Sequence, residues 1–180
     1  MKNLLVLLLS PFLLITSCKK DDDTKQPEPT QVGANIIFLK VNGVSRTYTG
    51  KKPPGMPPVS SGDIVISVKA FPNIIAISAS SSEYNDGVRL YVVVDTAQNN
   101  VPILNTGYKI QSTSQGFASY SKNMSISSIE YLVDSNTSTA IFTRFDTDIV
   151  SGTFDFYGIN RNDSNDRVHV TEGFFDISLK

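Results

Sequence analysis

From Asn35 onward the chain carries short apolar runs that alternate with polar residues and stop at turn residues, with no stretch of helical spacing long enough for an amphipathic helix. A period of two puts the apolar side chains on one face of a strand, and that face has to be buried against another sheet or within the sheet's own curl. The pattern limits the chain to an all-β fold.

Ile36, Ile37, Phe38 and Leu39 open the first run, which reaches Val41-Asn42-Gly43-Val44. Asn-Gly accepts the positive φ angles of a two-residue hairpin turn, so residues 44–49 are expected to return beside it. Residues 51–58 contain four prolines, which cannot donate to a sheet ladder, and read as a stiff exposed loop. Ile64, Ile66 and Val68 alternate with polar or smaller residues; Phe71-Pro72-Asn73 then turns the chain into a strand over 74–80. After a polar connection over 81–87, Val88, Leu90, Val92 and Val94 share one face and form the strongest core strand. A longer connection, 95–107, precedes strands expected at 108–110, 116–120, 126–133, 140–145, 150–159, 168–171 and 174–179. The expected architecture is a single antiparallel β-sandwich or flattened β-barrel of about ten strands. Alternation specifies faces and not closure, so both forms stay open.

The 180 residues, 40% hydrophobic, are enough for one domain with its own core. Sixteen bases against 17 acids give a formal charge of −1, without the basic footprint of a nucleic-acid binder. One Cys and one His cannot supply a Cys/His zinc cluster.

Residues 1–17 read as a leader: Lys2 gives the positive start, residues 4–15 an apolar run, and Thr16-Ser17 a small-residue close before Cys18. The run is broken by Ser10 and Pro11 and is shorter than the ~20 residues that span a hydrocarbon core. Leu14-Ile15-Thr16-Ser17-Cys18 resembles the lipobox of bacterial lipoproteins, which implies cleavage before Cys18 and lipidation of its thiol through a thioether, with acyl chains such as palmitate. Two or three acyl chains hold a protein firmly on a membrane where one does so only marginally. Cleavage removes Lys2 alone among charged residues, leaving 15 bases against 17 acids, and lipidation leaves no free thiol.

Residues 18–33 form the lipidated cysteine and a tether almost free of apolar side chains, too polar to offset the entropy of ordering. The fifteen residues 19–33 reach at most roughly 50 Å extended or about 20 Å as a coil. Lys19, Lys20, Asp21, Asp22 and Asp23, directly after the cysteine, resemble the surface-export signal of Bacteroidota lipoproteins; a solvated spacer is the plainer alternative. The resemblance implies an outer-membrane location on the cell surface, with the periplasmic face as the alternative.

Ser151-Gly152-Thr153-Phe154-Asp155-Phe156, followed by Val168-His169-Val170-Thr171-Glu172-Gly173-Phe174-Phe175-Asp176, is similar to the C-terminal pattern of a Bacteroidota lipoprotein family of unknown function. Its members end in a Ser-Gly-Thr-Phe-x-Phe strand, a polar turn, and a strand closing in Gly-x-Phe. Val41-Asn42-Gly43 fits the same pattern, and the family implies a β-rich domain over 34–180 without implying any chemistry. Physically, Gly152 and Gly173 allow bulges or close backbone approach, and the phenylalanines pack a sheet face.

Residues capable of chemistry are few. His169 alternates with Val168 and Val170, which places it on the wetter face, and no Gly-x-Ser-x-Gly turn accompanies it. The acid pairs Asp146/Asp148 and Glu83/Asp86 have the make-up of glycosidase carboxylates, but sit at strand ends where short acids serve turns. Asp163 and Asp166, in a loop rich in oxygen ligands, are weak calcium candidates; the glycine and closing glutamate of an EF-hand are missing. Among seven tyrosines, Tyr84 and then Tyr48 are the ones expected to be exposed for a ligand. The expected function is that of a lipid-anchored, non-catalytic binding or scaffold domain with an extracellular or periplasmic ligand. The alternatives are a glycan or peptide capture module and a carboxylate-based hydrolase.

Overall fold

A computed structural model describes residues 29–50, 65–71, 73–94, 101–113, 117–124 and 127–180. The leader, Cys18, the segment from Lys19 to Asp23 and the proline loop lie outside the described residues. The fold is all-β, a single antiparallel sheet curled into a half-barrel.

Its strands are β1 (Ile36–Val41), β2 (Val44–Thr49), β3 (Val65–Phe71), β4 (Ile74–Ser81), β5 (Asp86–Val93), β6 (Gly107–Tyr108), β7 (Ser119–Lys122), β8 (Ile129–Val133), β9 (Thr139–Phe145), β10 (Ile149–Asn160) and β11 (Asp163–Ser178). The hydrogen-bonded order is β2-β1-β11-β10-β8-β7-β5-β4-β3. The long β10 divides one edge between two neighbours, pairing with β9 over Val150 to Asp155 and with β8 over Gly158 to Asn160. Strand β9 in turn pairs with β6.

The core lies on the concave face. Ile37, Leu39 and Val41 of β1, Val88, Leu90 and Val92 of β5, and Val150, Phe154 and Phe156 of β10 belong to one buried cluster. Period-two patterning accounts for this directly, and the Asn42-Gly43 turn takes the expected form, with φ of 49° and 82°.

Several strand expectations are corrected. Residues 168–171 and 174–179 are one strand, β11, continuous through a bulge at Glu172, which has a φ of 51°. The loop expected to hold Asp163 and Asp166 is a short turn, because β11 already begins at Asp163, paired with Asn160. Strands β7 and β8 start later than expected, at Ser119 and Ile129. Residues 81–87 are not wholly a loop, since β5 starts with Asp86 and Gly87 buried.

The C-terminal motif has a specific packing role. Gly152 pairs with Phe175, and Gly173 pairs with Phe154, across β10 and β11. A Cβ on Gly152 would stand 2.2 Å from the Ile141 carbonyl oxygen and 2.6 Å from the Phe175 ring. One on Gly173 would stand 2.6 Å from both the ring and the carbonyl oxygen of Phe154. Each phenylalanine therefore lies over the glycine opposite, and the two rings stack 6.3 Å apart.

Candidate functional site

The outer, convex face of β1, β11, β10 and β9 holds a second apolar cluster. Phe38 and Phe174 are cross-strand partners whose rings stack at 5.6 Å, and they are only 2% and 1% exposed. Thr153 is the partner of Phe174 and Ile141 the partner of Thr153, so one row of side chains crosses the strands.

Along this row runs a groove of about 350 Å³ whose lining includes Pro29, Ile141, Thr153 and Phe174, with Asp155 and Glu172 among its acids. Glu172 is paired with Lys40 at 2.8 Å, and Asp155 with the ring of His169 at 3.4 Å. Tyr157 stacks on His169 at 3.9 Å between ring centres, its partner across β10 and β11. The groove offers an apolar floor with a few polar groups beside it, the make-up of a small-ligand or peptide site. Its position follows from the strand pattern and the Glu172 bulge, since the positive φ at Glu172 breaks the alternation just before Phe174.

One end of the face is fastened by Asp176. Its carboxylate, on buried β11, accepts hydrogen bonds from the Ser151 hydroxyl at 2.6 Å and from the backbone N–H groups of Gly33 at 2.9 Å, Ala34 at 3.0 Å and Val32 at 3.2 Å. The Thr30 hydroxyl donates to it as well. Burial pushes this carboxyl up, but the hydroxyls of Ser151 and Thr30 and the backbone donors outweigh it and hold it below the ordinary range. Residues 30–33, expected as part of the tether, are thus bound to the domain.

A second buried carboxylate, Asp86, lies on the concave side at 2% exposure. Its oxygens accept from the Tyr48 hydroxyl at 2.7 Å, the Tyr120 hydroxyl at 2.7 Å and the Arg46 Nε at 2.9 Å. Burial, reinforced by the nearby carboxylate, pushes both phenols well above their ordinary value.

This cluster corrects the expectation for Tyr48, which is fully buried. Strand β2 turns that side chain inward, and its hydroxyl is satisfied by a partner 38 residues away. Tyr84 is half-buried, edge-on to Tyr48 at 6.1 Å, with the Arg46 guanidinium 5.2 Å over its ring. Neither tyrosine offers the open face expected of a ligand platform. The Glu83/Asp86 pair is likewise divided, because Asp86 is held within the Arg46, Tyr48 and Tyr120 cluster.

Asp163 and Asp166 are placed at the β10–β11 hairpin. Oδ2 of Asp166 accepts from Tyr131 and from Asn160, both at 2.8 Å, while Oδ1 of Asp163 accepts the Asn165 N–H at 2.9 Å. Those bonds lower the Asp166 carboxyl, Asn160 contributing most; burial and Asp166 push the Tyr131 phenol up to about 12. Among the described residues no three His, Cys, Asp or Glu side chains group as a metal site. Asp146, at the β9–β10 turn, serves the turn: it accepts from Arg144 and from the backbone of Asp148 and Ile149, which bring it down to about 2.

Sequence reasoning missed Asp176, which gathers five donors, and named Asp86 only as a partner of Glu83, without the Arg46, Tyr48 and Tyr120 cluster around it. The only local signal was an acid beside strand-forming apolar residues, as in Phe174-Phe175-Asp176-Ile177. No family model, curated protein or solved structure matches the chain.

Proposed function

We propose that this chain is a lipid-anchored outer-membrane lipoprotein whose single β domain holds or scaffolds an extracytoplasmic ligand without catalysing a reaction. Cys18 carries the lipid, Lys19 to Asp23 direct the protein to the cell surface, and the convex groove receives a glycan or peptide. The family reading rests on the Ser-Gly-Thr-Phe-x-Phe and Gly-x-Phe segments.

The observation that carries the binding reading is the groove beside Phe174 and Ile141, which combines an apolar floor with Asp155 and Glu172. The anchor reading is supported by the apolar leader ending at Cys18 and by the polar stretch after it.

Palmitate labelling and cell fractionation test the anchor: Cys18→Ser should lose the label and move to the soluble fraction, and continued membrane association would refute it. Protease on intact cells tests the location, degradation meaning the surface and protection until lysis the periplasm. Glycan and peptide arrays probed with the mature protein test the groove. Ile141→Glu should abolish whichever signal is found, and a signal unchanged by it would exclude the groove as the site.

A further inference from the structure

We propose that the end of the half-barrel bearing the β9–β10 turn is a membrane-docking face, whose apolar side chains enter the lipid interface. The proposal deepens the lipid-anchor reading and rests on it.

Nine large apolar side chains are exposed among the described residues, and five of them, Val32, Val101, Ile103, Leu104 and Leu179, gather at this end. Backbone bonds place them together. Leu179 N–H donates to the Asp148 carbonyl at 2.7 Å in the β9–β10 turn, and Asn105 N–H donates to the Phe142 carbonyl of β9 at 2.8 Å. Arg144 of β9 reaches the Gln31 carbonyl at 2.6 Å, joining the entering chain to the same end.

The loop holding Val101, Ile103 and Leu104 is built to point them outward. Pro102 is buried between them, Ile103 N–H donates to the Tyr108 hydroxyl at 2.6 Å, and Asn105 takes a φ of 60°. A loop fixed in this way presents its apolar side chains without having to rearrange.

Three features favour a lipid surface as the occupant. None of the five side chains lines the groove beside Phe174 and Ile141, and their exposure at one end suits shallow insertion into an interface. Both acids of the turn are neutralised, Asp146 by Arg144 and Asp148 by Lys180, each at 2.7 Å, which keeps anionic headgroups from being repelled. The eleven residues 19–29 reach at most about 40 Å extended, so lipidation at Cys18 keeps the entry of the domain within about that distance of the bilayer.

The test uses the full lipidated chain. Cys18 is the only cysteine and is consumed by lipid, so Leu104→Cys creates one labelling site for a polarity-sensitive fluorophore. Val44→Cys supplies the control, since Val44 is 54% exposed at the Asn42-Gly43 turn, away from this end. The proteins are reconstituted on phosphatidylethanolamine and phosphatidylglycerol vesicles containing a spin-labelled lipid. The expected result is blue-shifted, quenched emission at position 104 and unshifted, unquenched emission at 44. Equal emission at the two positions, or quenching at 44 alone, overturns the docking face while leaving the anchor standing. Failure of the unlabelled chain to float with vesicles while Cys18 is intact refutes the anchor, and the docking face falls with it.

Discussion

Gly173 lies beneath the ring of Phe154, its partner across β10 and β11, so closely that a Cβ would stand 2.6 Å from the ring. Gly152 stands in the same relation to Phe175, and the two rings stack on each other. The recurrent glycines and phenylalanines of the C-terminal motif are therefore one interlocked unit, with each glycine making room for the aromatic ring opposite.

That unit sets a stability prediction. Gly152→Ala places a methyl group against the Ile141 carbonyl, backbone that cannot step aside, and should cost about 1–3 kcal/mol or more. Gly107→Ala, whose nearest contact would be 3.4 Å from the Thr139 methyl, should be close to neutral. Urea denaturation of the pair checks the contrast, and equal midpoints would remove the packing explanation.

Asp86 binds two phenols and a guanidinium in a buried place, so removing it takes the acceptor from both hydroxyls and the carboxylate from Arg46, which keeps the Ser45 carbonyl and the Tyr84 ring. Asp86→Ala should cost about 3–5 kcal/mol, towards the lower end because Arg46 retains some contact with water. Tyr48→Phe removes a single hydrogen bond to a charged acceptor and should cost roughly 1.5–3 kcal/mol. Thermal melts of both variants measure the order, which should be Asp86→Ala below Tyr48→Phe below the unaltered protein.

Acid stability follows from Asp176. Its carboxyl is lower in the folded chain than the ordinary 3.8, so the folded state favours the ionised form. The stabilisation is complete above the unfolded value and disappears as pH falls through the lower folded one. Denaturation at pH 7 and at pH 2.5 should show a larger loss for the unaltered protein than for Asp176→Asn. Hydrogen exchange of Gly33 and Ala34 N–H should accelerate in that variant, as their acceptor weakens. Unchanged exchange at those two amides would mean that the carboxylate does not hold the segment.

Calcium gives a simple contrast. Asp166 Oδ2 already receives two donors and Asp163 Oδ1 a backbone N–H, so a cation would have to displace hydrogen bonds that shape the hairpin. The melting temperature should be the same in EDTA and in millimolar calcium; a rise with calcium would restore the site expected from the loop's oxygen-rich composition.

Much of the fold was legible because its cause is local. Alternation placed β2 at the observed residues, and Asn42-Gly43 set the turn before it. Strand β11 was read as two because the extra residue at the Glu172 bulge interrupts the alternation while the ladder to β10 continues. The site was less legible, since its determinants are distant in sequence. Tyr48 looks like an edge tyrosine until β5 brings Asp86 under its hydroxyl, and Asp176 looks like a turn acid until residues 30–34 wrap around it. The groove required the row from Phe38 through Phe174 and Thr153 to Ile141, four residues from four strands.

The pairing of β1 with β11 also imposes an order in time. Ile36 meets Asp176 across 139 residues of intervening chain, so neither strand can complete its ladder until almost the whole sequence is present. Local hairpins such as β4–β5 have their partners at hand as soon as they are made, whereas β1 waits for the last strand. An apolar strand, Ile36-Ile37-Phe38-Leu39, must therefore be kept from premature association while the rest of the chain is made, and truncation near the C-terminus would leave the first strand without one of its neighbours.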